Sequence, residues 1–288
     1  EVIALLRLTP VLVDVDPASF NIDVEAARRA ITPRTKAILP VHLYGQSAHM
    51  EPLLELAREH NLQILEDNAQ ALGARYRFSD GREACTGTMG LIGTTSFYPS
   101  KNLSCAGDGG ALFTNDDDTA DALRTIANHG QNRRYYFDKV GVNSRLDSVQ
   151  AAVLRAKLRR LDAYTEARQK AAAAYDAALA YHPLITVPAR MPWSTHVFHQ
   201  YTIQVPAEHR DALQAHLTQH DIPSVVFYPL PIHQQTAYRD DSRWSDSQFP
   251  QTVSLCHRVL SLPMHTELDD DQLAYITQAV LGYFASKA

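Results

Sequence analysis

The chain has 288 residues, 45% hydrophobic and 20% charged, the composition of an ordinary globular protein with room for roughly two domains. Its formal net charge of -5, with Lys and Arg scattered, leaves no basic footprint for a nucleic acid, and no apolar stretch reaches the length of a membrane span. Cys85, Cys105 and Cys256 are odd in number and lack C-x-x-C spacing, which argues against a disulfide framework or a zinc site and for reduced thiols in a cytoplasm.

The opening "EVIALLRL" reads as the end of an apolar helix whose start and N-cap are absent, so the chain is expected to be cut at its N-terminus. "PVLVDVD" (10 to 16) is an apolar, β-branched run, and "VEAARRAI" (24 to 31) is a helix that Asn21 or Asp23 could cap. "KAILPVHLYG" (36 to 45) is strand-like, "MEPLLELAREH" (50 to 60) is an amphipathic helix, and "LQILED" (62 to 67) is strand-like again. "TTSFYP" (94 to 99) and "GALFTN" (110 to 115) add two strands, and the chain from Asp117 to about Ala180 reads as mostly helical.

Strand and helix taking turns in this way predict βαβ units and a mainly parallel sheet. A proline-rich shift near "YHPLITVPARMPW" (181 to 193) divides the chain into a large α/β domain, 1–180, and a smaller α+β domain, 181–288. In the latter, "FHQYTIQV", "IPSVVFY" and "RVLSLP" read as strands.

Ligands of parallel α/β sheets sit beyond the carboxyl ends of the strands. Asp67 ends "LQILED", and Lys101 follows "TTSFYP" in the same way, between Pro99 and the glycine turn "AGDGG". Locally, two readings fit: a surface lysine with a helix N-cap aspartate, or an acid and an amine facing one pocket. In the second, a partly desolvated lysine has a nucleophilic amine able to condense with a carbonyl. Pyridoxal phosphate requires such a lysine, a carboxylate for its ring nitrogen and donors for its phosphate. Lys101, Asp67 and Ser96 suit those needs.

"ILEDNAQALGA", "TTSFYPSKNLSCAGDGGALFTND" and "VGVNSRLDSVQAAVL", with "PVHLYGQ", "NHGQNRRYY", "VFYPLPIHQQTAY" and "LCHRVLSLPMH" in order along the whole chain, resemble the DegT/DnrJ/StrS-type nucleotide-sugar aminotransferases. These are pyridoxal-phosphate enzymes of fold type I. The resemblance implies that Lys101 is the Schiff-base lysine and general base, and that Asp67 partners the pyridinium. It further implies that Gln70 lies near the cofactor's phenolic oxygen, that Ala69 packs under its ring, and that Ser96 is a phosphate ligand. In a homodimer with shared active sites, Asn143 would reach the neighbour's phosphate and Arg145 the neighbour's sugar nucleotide, while Tyr228 contacts substrate from the small domain. Asn143 and Arg145 also fit a plainer role as end residues of a helix beginning near Leu146. Tyr228 fits a half-buried strand residue.

The same resemblance implies an absent N-terminal portion that supplies a Gly-Thr phosphate contact and a ring stacked on the cofactor. It implies amino transfer from glutamate to a keto-sugar nucleotide. "RRYYFDKVGVNSRLD" with "GDGG" is most similar to the branch acting at C3 of oxidised UDP-N-acetylglucosamine uronates. A dehydratase relative carries histidine where Lys101 stands here; a non-catalytic regulatory relative is the reading from another class. A hydrolase has no G-x-S-x-G and a Walker-type ATPase no G-K-[ST] to rest on. His196 and His199 in "HVFH" would point to opposite faces of a strand, and with His129 and His233 they read as satisfied or exposed histidines, not metal ligands.

Overall fold

The computed structural model describes residues 1–239 and 243–287, which separate into two compact units. One comprises Ala37–Lys170 with Met191–His199; the other comprises Glu1–Lys36, Ala171–Arg190 and Gln200–Ala288.

The first unit holds strands β1 (Ala37–Ile38), β2 (Gln63–Asp67), β3 (Arg75–Arg77), β4 (Glu83–Cys85), β5 (Ile92–Ser96), β6 (Gly110–Phe113), β7 (Gln131–Arg133) and β8 (Tyr136–Phe137). Its main sheet has the order β1-β2-β5-β6, parallel except where β6 runs antiparallel to β5. Asp67 of β2 stands in register with Thr94 of β5, so these two strands end side by side. The helix Met50–Glu59 buries Met50, Leu53, Leu56 and Ala57, an apolar stripe at helical spacing. A second cluster, Phe97, Leu103, Cys105 and Leu154 with Leu161 packed against it, lies beneath the loop that carries Lys101. Each leucine, methionine or phenylalanine among these contributes about 1.5–3 kcal/mol if fully removed from water.

Three expected elements differ. The run 36–45 is a strand only at Ala37–Ile38, because Pro40 has no N–H for a ladder, and the chain then turns through a short 3-10 segment with Tyr44 at φ 58°. The stretch from Asp117 to Ala180 is broken after the helix Asp117–Ala127 by the β7–β8 hairpin, and helix resumes only at Ser148. His196 and His199 are not on a strand; both are buried in an irregular segment, where His196 stacks on Phe198.

The second unit pairs β9 (Tyr201–Gln204) antiparallel with β10 (Val259–Leu262), and the helices Ala207–Gln219 and Asp270–Ala285 bury Leu213, Leu217, Val280 and Phe284. The apolar run at 10–16 forms only an isolated bridge, Val15 to Ile22. Its Asp14 instead accepts hydrogen bonds from the Gln251 and Thr252 amides, capping the helix Pro250–Arg258 from far away in sequence. Asp23, rather than Asn21, caps Val24–Ala30. "IPSVVFY" likewise reduces to a bridge from Val225 to Ser261. No helix among the described residues is long and apolar enough to cross a membrane.

Candidate functional site

Successive residues of a strand point to opposite faces, so β2 presents Glu66 to one side and Asp67 to the other. Glu66 is wholly buried and accepts four hydrogen bonds: from His42 Nε2 at 2.9 Å and from the amides of Gly87, Met89 and Gly90 at 2.7, 2.6 and 2.6 Å. Burial pushes this carboxyl up, but the His42 contact and the amides outweigh it and hold the group below the usual carboxylate range. The His42 ring accepts the Ala48 amide at Nδ1, which leaves its proton on Nε2 to donate to Glu66. The His42 amide in turn donates to the Asp67 carbonyl, and the Asp67 amide to that of Pro40. The end of β2 is thus tied to the 40–42 segment by backbone bonds and, through Glu66, to the amides at 87–90.

Asp67 is half-buried, and its Oδ1 accepts the Ala69 amide at 3.0 Å. The next residues form a turn and no helix, so the N-cap reading of Asp67 fails. Gln70 turns its Oε1 to the Tyr44 amide at 2.7 Å. Ser96, half-buried at the last position of β5, accepts the Tyr98 amide on Oγ at 3.2 Å.

The loop after β5 is fixed at several points. The Lys101 amide donates to the Tyr98 carbonyl, the Cys105 amide to that of Phe97, and Lys157 Nζ to Ser104 O and Oγ. Cys105 is buried and donates its thiol to the Phe97 carbonyl, a structural role. Lys101 itself is half-buried, so it is not the solvated surface lysine of the local reading. Burial pushes its amine below the usual lysine range, while the nearby Asp67 carboxylate opposes that shift.

Asp67, Ala69, Gln70, Ser96 and Lys101 therefore gather at the carboxyl ends of the adjacent strands β2 and β5. Asn143 and Arg145 belong to the same unit but are exposed, on the segment before the helix Ser148–Leu158. That helix is capped by Asp147, which accepts the Val149 amide, so neither Asn143 nor Arg145 serves as its cap. Tyr228 lies in the other unit and is half exposed.

Sequence reasoning passed over three participants. His42 and Glu66 were readable only as a polar pair inside apolar runs; an acid alternating with Ile64 on the core-facing side of β2 was the available signal. Arg168 was hidden in an alanine-rich helix. His199 is buried near Lys101, and burial, with Lys101 and Arg168 beside it, pushes its imidazole down to about 3. Among the described residues no group of three His, Cys, Asp or Glu is placed to hold a metal ion. An amine of depressed basicity, a carboxylate in its field and a strand-end hydroxyl form a donor set that fits pyridoxal phosphate.

Comparison with known proteins gives the same direction. The model of the DegT/DnrJ/EryC1/StrS aminotransferase family matches residues 1–281. The chain is 43% identical over 284 residues to a pleiotropic regulatory protein of Geobacillus stearothermophilus, covering 98% of this chain and 74% of that one. It is 42% identical over 280 residues to the UDP-2-acetamido-2-deoxy-3-oxo-D-glucuronate aminotransferase of Pseudomonas aeruginosa, covering 97% and 75%. Among solved structures, a DegT DnrJ EryC1 StrS aminotransferase from Brucella abortus superposes with a TM-score of 0.89 at 39% identity, covering 98% of this chain and 75% of that one.

Proposed function

Because the chain belongs to the DegT/DnrJ/EryC1/StrS aminotransferase family, whose members are pyridoxal-phosphate-dependent, we propose that it transfers the amino group of glutamate to C3 of a keto sugar carried on UDP. The observation that carries this reading is the pairing of Lys101 with Asp67 at neighbouring strand ends, an amine of lowered basicity in the field of a carboxylate. When bound, the cofactor supplies an electron sink for the carbon that loses its proton. Lys101 supplies the amine that holds the cofactor and moves that proton. Asp67 keeps the ring nitrogen protonated, Ser96 and Asn143 bind phosphate, Ala69 and Gln70 bound the ring, and Arg145 and Tyr228 meet the sugar nucleotide. The product fits precursor supply for a surface polysaccharide, and the three free cysteines fit a reducing cytoplasm.

The test is a panel of keto-sugar nucleotides offered with glutamate: UDP-linked 3-keto sugars, with and without a C6 carboxylate, and dTDP-linked 3-keto and 4-keto hexoses. Formation of 2-oxoglutarate and an amino sugar with the UDP-linked 3-keto sugars is expected. Preference for a dTDP-linked or 4-keto substrate overturns the assignment of base and position; cofactor binding without turnover on any of them favours the regulatory reading that one relative's name carries.

We further infer that two copies share their sites. The stretch holding Asn143 and Arg145 exposes Tyr135, Phe137, Val140, Val142, Leu146 and Val149, an apolar surface unusual for a face meant for water. A two-fold dimer covers it twice and completes two sites together. Mixing Lys101→Ala subunits with Asn143→Ala/Arg145→Ala subunits is expected to restore activity, since one site of each mixed dimer then has every residue intact. A mixture that exchanges subunits and stays inactive removes the cross-subunit roles.

A further inference from the structure

The residue that follows the reacting lysine is tied to a distant part of the chain. Asn102 is buried, and its Nδ2 donates to the carbonyl of Val197 at 2.8 Å, across 95 positions of sequence. The next two carbonyls, those of Phe198 and His199, both accept from Nη1 of Arg168, at 2.9 and 3.4 Å. Val197, Phe198 and His199 are all buried, and they form a wall beside the lysine loop. On its other side the wall meets Gly45, at φ +107°, where a Cβ would stand 2.9 Å from the amide nitrogens of Phe198 and His199. Only glycine lets the backbones come so close.

Arg168 is a costly way to hold a wall. It is 7% exposed, and burial alone pushes its guanidinium down to about 10. The groups that Nη1 grips are neutral backbone carbonyls. An apolar side chain would fill such a space without desolvating a charge. Among what the guanidinium adds is a fixed grip on two successive carbonyls, and with it the seating of residues beside the lysine loop. The ionisable groups of this cluster include Asp67, from the end of β2, which favours the charged amine; His199, on the wall; His196, which stacks on Phe198 and accepts its amide; and Arg168, on the helix Leu161–Leu179.

We propose that Arg168 is a positioning residue for Lys101: by gripping the carbonyls of Phe198 and His199 it keeps the 197–199 wall closed beside the lysine loop and keeps water from the Lys101 amine. The proposal rests on Lys101 being the amine that reacts. An amine shielded from water is held more in its neutral, nucleophilic form than one in bulk solvent. Loosening the wall returns it toward ordinary lysine behaviour.

The test reads the amine directly and needs no turnover. The cofactor-free full chain is labelled with a trace of acetic anhydride over a series of pH values, and mass spectrometry compares the Lys101 peptide with exposed Lys36 as internal standard. In Arg168→Met the half-point for Lys101 labelling is expected to rise by about one pH unit, a tenfold fall in reactive fraction at fixed pH. Arg168→Lys keeps the charge but loses the planar fork, so a rise there comes from the loosened grip and not from the lost cation. A lowered melting temperature with an unmoved Lys101 half-point, in folded Arg168→Met, overturns the proposal. Should that variant fail to fold, Arg168→Lys decides: a raised half-point supports the wall and a wild-type one removes it. If cofactor reduced onto the protein maps to another lysine, the functional reading fails instead, a result separate from the labelling.

Discussion

Lys101→Ala is expected to abolish covalent retention of pyridoxal phosphate and to lower amino transfer by at least about 10⁴-fold, while the fold persists. The size of the effect comes from the two roles assigned to one amine, since proton transfer by a placed group alone contributes roughly 10²–10⁴-fold and the covalent hold is lost in addition. Persistence of the fold follows from the sign of the lysine's shift. Its folded-state value lies below the ordinary one because burial disfavours the cation. The folded chain therefore binds that proton less readily than the unfolded chain, and the cost is fully present at pH values below both. It fades as pH rises through the interval between them. Alanine removes this cost and leaves the backbone bond to Tyr98 in place. Borohydride reduction of the cofactor-loaded wild type, followed by peptide mapping, should place the adduct on Lys101. An adduct elsewhere, or substantial turnover in Lys101→Ala, contradicts the assignment.

Asp67→Asn is expected to bind the cofactor yet lose about 10²–10³-fold in turnover, the usual effect of removing one preorganised electrostatic partner. A carboxylate bound to a protonated ring nitrogen makes a charge-assisted hydrogen bond, roughly twice as strong as the neutral bond an amide offers. Asparagine keeps an oxygen where Oδ1 accepts the Ala69 amide, so the turn after β2 need not change. A second readout is independent of catalysis. Asp67 favours the charged form of Lys101, so its neutralisation should move the labelling half-point of Lys101 to lower pH, opposite to the shift expected for Arg168→Met. Near-normal turnover, or a Lys101 half-point that stays in place, would remove Asp67 from the site.

The parts of the site that could be read in advance are those whose meaning is local. Strand β2 and the neighbouring β5 are short apolar or β-branched runs, and the rule that ligands gather past such strand ends led to Asp67 and Lys101. Where a proline or a distant partner intervened, the same reasoning failed. Pro40 cut short the strand expected over 36–45. The valine-rich run at 10–16 looked like a strand, yet its Asp14 is engaged by amides at Gln251 and Thr252, more than two hundred positions away. Glu66 and His42 stand 24 positions apart, and Arg168 and Phe198 stand 30 apart. A buried polar group declares its role only through its partner, and nothing in the composition of "EARQKAAAAYDAALA" marks its arginine as the one that turns inward.

The long tie between Asn102 and Val197 also has a meaning in terms of chain connectivity. Arg168 joins Phe198 by closing a loop of 30 positions, whereas Asn102 joins Val197 by closing one of 95. Loop-closure entropy grows with the logarithm of length, at about 0.6 kcal/mol per doubling, which puts the longer closure about 1 kcal/mol behind the shorter. The wall and its arginine are thus the more local partnership, and their joint contact with the lysine loop is the more remote one. A fluctuation that parts Asn102 from Val197 leaves Arg168 on its carbonyls and the sheet intact. Such an opening is confined to the lysine-loop side of the wall and falls well short of global unfolding, because the Val197 and Phe198 amides keep their own partners, the Gly45 carbonyl and His196 Nδ1.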